Sequence, residues 1–202
     1  MSLVYSKNTK NGSKVGIWEI TETESELKNL LNHLNDFPKT SNHRTMQWLA
    51  ARALIINLCE NNNEAIIKDK FGKPQLPNSP YHVSITHCGD YAAAIISKDE
   101  HAGIDLEKVN PRILRVGHKF ALQEEKDILK KHPPEMALHI IWGVKESLYK
   151  FYGRNEIDFI KNLRILEMKD NMIVSSINKG PYSAQVNMEY EMYGDKLLVH
   201  TL

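Results

Sequence analysis

The feature that most restricts this chain is a segment bracketed by Pro134 and Gly153. Proline suits the first turn of a helix, where its missing N–H has no intrahelical partner anyway, and glycine suits the left-handed residue that ends one. At roughly 100° per residue, Ala137, Ile140, Ile141, Val144, Leu148 and Phe151 fall on one side of that helix, opposite Glu146. An apolar stripe of that width has to be buried against another element. His139, Trp142, Gly143, Tyr149 and Lys150 fall within about 60° of Glu146. Aromatics on that side predict a second covered face or the floor of a ligand site. The competing reading is an ordinary exposed pair, because Glu146 and Lys150 at i, i+4 have ion-pair spacing.

Strands supply the surface such a helix needs. Leu163–Met168 and Met172–Ile177 flank Asp170-Asn171, and Tyr182–Tyr193 and Lys196–Leu202 flank Gly194-Asp195, so both pairs read as hairpins. Upstream, Tyr81–His87, Tyr91–Ser97 and Gly103–Glu107 form a meander with turns at Cys88–Asp90 and Lys98–Ala102. Ile17–Ile20 reads as a short strand. Thr23 followed by Glu26 is a capping box for a helix over 24–34, with Leu27, Leu30, Leu31 and Leu34 on one face and Phe37-Pro38 at its end. A second helix is expected from about Arg44 to Cys59, with Trp48, Leu49, Ile55, Ile56 and Leu58 as core, broken by Asn61–Asn63. Residues 71–80 read as a stiff proline-rich loop and 119–131 as helical. Helices followed by strands, twice over, point to an α+β fold of two halves, 1–101 and 102–202.

Composition excludes other classes. Over 202 residues the net charge is +1, and basic and acidic residues are balanced in each half. No concentrated basic field marks a nucleic-acid or membrane surface. The longest clear apolar run, Tyr91–Ile96, is far short of the roughly 18 residues of a membrane span. The N-terminal MSLVYSKNTKNGSK has no apolar core, so no secretory signal is read there. Two cysteines outside any CxxC pair fit a reduced, cytoplasmic protein without a zinc site.

Four features carry chemistry. In Gly103-Ile104-Asp105-Leu106-Glu107, strand alternation puts Asp105 and Glu107 on one face, where two carboxylates could lean on one hard cation or form a solvated strand face with Lys108 as counter-ion. Glu146 on the long helix is a third acid. Phe71-Gly72-Lys73-Pro74 presents Lys73 from a stiff loop as a point charge for an anion. His87 ends its strand between Thr86 and Cys88. A Cys88–His87 nucleophilic pair is rejected, because neighbours in a strand diverge, which leaves His87 as an anion partner or a structural histidine. Arg44 and Arg52, about 80° apart on the second helix, could reach one polyanion or merely solvate a face.

The order of these features is more specific than any one of them. GKP at 72–74, ITHCGDY at 85–91, GIDLE at 103–107 and WGVKESLYKFYG at 142–153, preceded by RTMQWLAARALI, resemble the 4′-phosphopantetheinyl transferase superfamily of the Sfp type. The resemblance implies two similar α/β halves forming an internal pseudo-dimer, hence a monomer, with coenzyme A and Mg²⁺ (or Mn²⁺) in the cleft between them. It implies transfer of the phosphopantetheine arm from coenzyme A to a serine of an apo acyl or peptidyl carrier protein, releasing 3′,5′-ADP. By position, Asp105, Glu107 and Glu146 match the metal-binding acids. Lys145 and Lys150 match the two lysines around the helix acid. Lys73, Pro74, His87, Arg44 and Arg52 match the groups that grip coenzyme A, and Lys145 is placed with them. Glu125, or Glu124 in a shifted alignment, matches a further acid. Lys150 is then expected at the leaving phosphate, and Glu146 or a water held by Glu125 takes the serine proton. The carrier surface falls near 112–131. Thr86, Cys88 and Gly143 depart from the family pattern. Other readings are a degenerate member that binds coenzyme A or carrier without transfer, and a Mg-dependent phosphatase or pyrophosphatase.

Overall fold

The computed structural model describes residues 2–31, 37, 42–60, 65–99 and 101–202. It divides into two compact units, Met1–Ala102 and Gly103–Leu202. Each combines helices with an antiparallel sheet, so the class is α+β.

The first unit runs β1 (Leu3–Asn8), β2 (Lys14–Glu19), α1 (Glu24–Leu30), α2 (Asn42–Leu58), β3 (Ile67–Lys68), β4 (Pro74–Gln75), β5 (His82–Cys88) and β6 (Tyr91–Ser97). Its main sheet has the order β1-β2-β6-β5. The capping box forms as expected: Glu26 N–H donates to Thr23 Oγ1 at 3.3 Å and Thr23 N–H donates to Glu26 Oε2 at 2.8 Å. Helix α2 packs on β6 and β2. Leu49, Ala50, Ala53 and Leu54 are buried in one core with Ala92, Ala94 and Ile96. A Cβ on Gly16 would stand 2.9 Å from Leu54 Cδ1, so the bare backbone of β2 is what admits the helix. Strand β1 exceeds the sequence expectation, because its half-buried and exposed positions alternate without an apolar run. Within the expected loop 71–80, Pro74–Gln75 pairs with Ile67–Lys68 as a short ladder. The expected end of α1 at Leu34 and Pro38, and the Asn61–Asn63 break, lie outside the described residues.

The second unit runs β7 (Ile104–Lys108), two 3₁₀ helices (Pro111–Arg115 and Gly117–Lys119), α3 (Gln123–Ile128), α4 (Pro134–Tyr152), β8 (Leu163–Lys169), β9 (Met172–Lys179), β10 (Tyr182–Tyr193) and β11 (Lys196–Thr201). The sheet order is β7-β11-β10-β9-β8. Helix α4 begins at Pro134 and stops at Gly153, whose φ of +66° is the left-handed conformation glycine supplies without strain. Its stripe of Ala137, Ile140, Ile141, Val144 and Leu148 is buried, as the spacing requires. The helix lies across β7 and β11. Gly143 is not on a solvated face: a Cβ there would meet Val199 Cγ2 at 2.7 Å, so the helix backbone rests on β11. The expected helix over 119–131 is cut to Gln123–Ile128. It cannot start earlier, because Glu125 turns inward and accepts the Leu122 N–H at 2.9 Å. Among the described residues no helix is long and apolar enough to cross a membrane, and Cys59 and Cys88 are not joined in a disulfide.

Candidate active site

Two elements of the second unit are forced into close approach. A Cβ on Gly103 would stand 2.1 Å from the Ser147 carbonyl oxygen, so only glycine lets the start of β7 reach the backbone of α4. Ser147 Oγ also donates to the Val199 carbonyl at 3.1 Å, tying α4 to β11. In the antiparallel register Asp105 lies opposite Val199 and Glu107 opposite Leu197. Directly opposed residues share a face, and Val199 faces α4, so both acids point to the helix that carries Glu146 and Lys150.

Lys150 Nζ donates to Asp105 Oδ1 at 2.7 Å and to the Ile104 carbonyl at 2.9 Å. Its partner is therefore the strand acid, and Glu146 feels the same ammonium through space. Burial, then the Asp105 charge, raises the Glu146 carboxyl above its ordinary value. Glu107 is pushed up to about 7 by burial, with the charges of Asp105 and Glu146 adding to it. The Trp142 indole N–H, donating to Glu107, opposes that shift. Asp105 and Glu146 thus disfavour charge on Glu107, Asp105 disfavours charge on Glu146, and the half-exposed Lys150 ammonium opposes both shifts.

Lys145 and Glu125 correct the sequence expectation. Lys145 has no exposed surface and Glu125 is 1% exposed. Lys145 Nζ spends all three protons inside the protein, on Phe120 O (2.7 Å), Glu125 Oε2 (2.8 Å) and Phe159 O (2.9 Å). The other oxygen of Glu125 accepts the Ile165 N–H at 3.1 Å. No donor is left for a phosphate and no basic oxygen for a water, so neither residue is presented to a ligand. Burial lowers the Lys145 ammonium and Glu125 opposes that. Glu124, the other alignment choice, is exposed.

The aromatic side of α4 is a cavity floor. Trp142 packs against Phe120 (centroids 5.0 Å) and Phe159 (5.6 Å). Together with Ile113, Val116 and Glu107 they line a cavity of about 630 Å³. Lys108, Arg112 and Lys119 are its basic members. Phe159, in the irregular segment after α4, had no periodicity to reveal it. Trp142 was legible, because it falls on the Glu146 side of the helix.

In the first unit the candidate anion-binding groups differ in setting. Asp69 Oδ1 accepts the Phe71 and Lys73 N–H groups at 2.8 and 2.9 Å, which stiffens the loop around Gly72. Burial lowers the Lys73 ammonium to about 8, so it stays mostly charged near neutrality. Pro74 is half-buried in β4 and His87 is exposed. Gln47 Nε2 donates to Gly89 O at 2.9 Å, tying α2 to the turn after His87. Arg44 is exposed. Arg52, by contrast, is buried with its guanidinium 3.3 Å from the Trp48 ring centroid, and burial lowers it to about 10. It remains a cation, but not on a solvated helix face.

Among the described residues no group of three His, Cys, Asp or Glu side chains is arranged to hold a metal ion. The expected convergence on one cation is thus electrostatic coupling here, not a formed ligand set. The donor chemistry does fit a hard divalent cation, since neighbouring carboxylate oxygens gain from a positive charge placed between them.

A family model described as the 4′-phosphopantetheinyl transferase superfamily matches residues 101–197. That segment contains β7, the cavity, α4 and all three coupled acids. The second half of this chain is similar to the 4′-phosphopantetheinyl transferase superfamily. Among curated members of this superfamily, the 4′-phosphopantetheinyl transferase ffp of Bacillus subtilis is 30% identical over 58% of this chain and 55% of its own length. The 4′-phosphopantetheinyl transferase AcpT of Escherichia coli O157:H7 is 30% identical over 54% of this chain and 59% of its own. The 4′-phosphopantetheinyl transferase Sfp of Bacillus subtilis strain 168 is 32% identical over 42% and 39%. The matches therefore span about half the length of these relatives, or less. One departure from the superfamily pattern has a local cause: Gly143 stands where α4 touches β11.

Proposed function

We propose that this protein transfers the 4′-phosphopantetheine arm of coenzyme A to a serine hydroxyl of an apo acyl or peptidyl carrier protein. The observation that carries the reading is the coupled set Asp105, Glu107 and Glu146 with Lys150, inside the segment matched to the superfamily. The serine oxygen forms a bond to the phosphorus that bears the pantetheine arm. The bond from that phosphorus to the bridging pyrophosphate oxygen breaks, and 3′,5′-ADP leaves with the electron pair. Asp105, Glu107 and Glu146 would hold Mg²⁺, which when bound neutralises pyrophosphate charge. Glu146, the acid carried by the helix, accepts the serine proton. Lys150 stabilises the charge that develops on the departing phosphate.

Lys73, His87, Arg44 and Arg52 are assigned to the phosphates of coenzyme A. Lys73 and Arg52 fit as half-buried or buried cations that stay charged near pH 7. The cavity beside Glu107 is assigned to the carrier protein. Its floor is apolar, its charged members other than Glu107 are basic, and Leu114 and Val116 are exposed on the adjoining 3₁₀ segment. A surface of that kind suits an acidic partner with an apolar anchor.

The test is incubation with coenzyme A, Mg²⁺ and a panel of apo carrier proteins, read by intact mass. A carrier that gains the mass of one phosphopantetheine arm, with stoichiometric 3′,5′-ADP, is expected. Binding of coenzyme A without mass gain on any carrier favours a binding protein. Nucleotide release without carrier modification favours a hydrolase.

A further inference from the structure

The corner between β7 and the first 3₁₀ helix forms one wall of the cavity, and two backbone bonds pin it. Val109 N–H donates to Asp195 O at 3.0 Å, in the turn between β10 and β11. Asn110 N–H points at Nε2 of His139, on α4, at 2.8 Å, and the Asn110 carbonyl oxygen lies 3.1 Å from the same nitrogen. Asn110 Oδ1 then accepts the Arg112 N–H at 2.9 Å and starts the 3₁₀ helix. His139 and Asn110 both line the cavity, with Arg112, Ile113 and Val116 on the segment that Asn110 initiates.

Nε2 can accept the Asn110 N–H or donate to the Asn110 carbonyl, but not both; because the backbone N–H already points at it at the shorter distance, a proton there would clash, and in the neutral ring the proton is assigned to Nδ1. His139 is 4% exposed, and its Nδ1 has no hydrogen-bond partner among the described residues. A buried donor left unpaired is unfavourable, and an apolar side chain at this position would avoid it. What the imidazole provides is the acceptor at Nε2.

We infer that His139 is a positioning residue for carrier docking: by accepting the Asn110 N–H it holds the wall of the cavity next to Glu107. The docking part rests on the transferase reading above. With the corner anchored to α4, the partner meets a preformed cavity and has no loop to order on binding.

The anchor is tested without reference to activity. In the wild-type chain, ¹⁵N imidazole shifts near neutral pH should show His139 protonated at Nδ1, and the opposite tautomer overturns the inference. Asn110 amide exchange should be slow in wild type, faster by about tenfold or more in His139→Leu, and slow again in His139→Gln, whose amide oxygen can accept the same N–H. Equal exchange in all three overturns it. The docking role is read by kinetics on a carrier that the wild type modifies. His139→Leu should raise KM for the carrier about tenfold at nearly constant kcat, with His139→Gln restoring it. A fall in kcat at constant KM signals a smaller folded fraction and overturns the docking role. A wild type that modifies no carrier sinks the transferase reading and the docking role with it, while the exchange and tautomer data still decide the anchor.

Discussion

Helix α4 carries two lysines, each bonded to a carboxylate, in opposite circumstances. The Lys145–Glu125 pair has side chains 0% and 1% exposed, and every proton and oxygen it uses is met by protein. The Lys150–Asp105 pair has a lysine 25% exposed and two further carboxylates, Glu107 and Glu146, pressing on it. The closed pair holds structure. It joins α4 to the start of α3, to β8 and to Phe159 of the cavity floor. The open pair is unsaturated in charge and can take part in chemistry. Ion-pair distance does not separate them, at 2.8 and 2.7 Å. What separates them is whether the remaining donors and acceptors are already spent.

The largest effect that would break this contrast is on stability. Lys145→Met strands a buried carboxylate and should cost about 3–5 kcal/mol in urea unfolding. Adding Glu125→Leu should recover much of that, since removing both charges is close to neutral in many cores. A single variant as stable as wild type would erase the distinction. Asp105→Asn, at the open pair, should lower carrier modification by about 10²–10³-fold with the urea midpoint nearly unchanged. Undiminished turnover would make the strand acid idle.

Lys73→Ala extends the contrast to the first unit. It should raise KM for coenzyme A about tenfold and spare kcat; a loss confined to kcat would contradict a binding role. The smallest effect is on pH dependence. Glu107 is raised to about 7, and Glu146 shifts the same way, so the folded chain keeps protons there that the unfolded chain releases. Between about pH 4.5 and 7 the unfolded state binds fewer protons, and stability falls as pH rises. The chelator-treated protein should therefore melt lower at roughly pH 8 than at roughly pH 5.5, and excess Mg²⁺ should stabilise it more at the higher pH. A Mg²⁺ effect that does not grow with pH would remove the carboxylates from the metal site.

Much of the second unit was legible in the residues. Pro134 and Gly153 bound α4, turn residues separate β8 from β9 and β10 from β11, and period-two alternation puts Asp105 and Glu107 on one face. In the first unit, Thr23 and Glu26 mark the start of α1, whereas β1 escapes notice because its half-exposed residues carry no apolar run. The 3₁₀ segment 111–119 was hidden for a similar reason, having neither period.

Local pattern thus decides which elements form and which side of each carries the charges, because helix and strand periods are properties of neighbouring residues. Burial is a property of what folds over a residue from elsewhere in the chain. By resemblance alone, Lys145 and Lys150 are both ligand-binding lysines of α4. Only the arrival of Phe120, Glu125 and Phe159 around one, and of β7 beside the other, makes the first a sealed strut and the second a half-exposed charge.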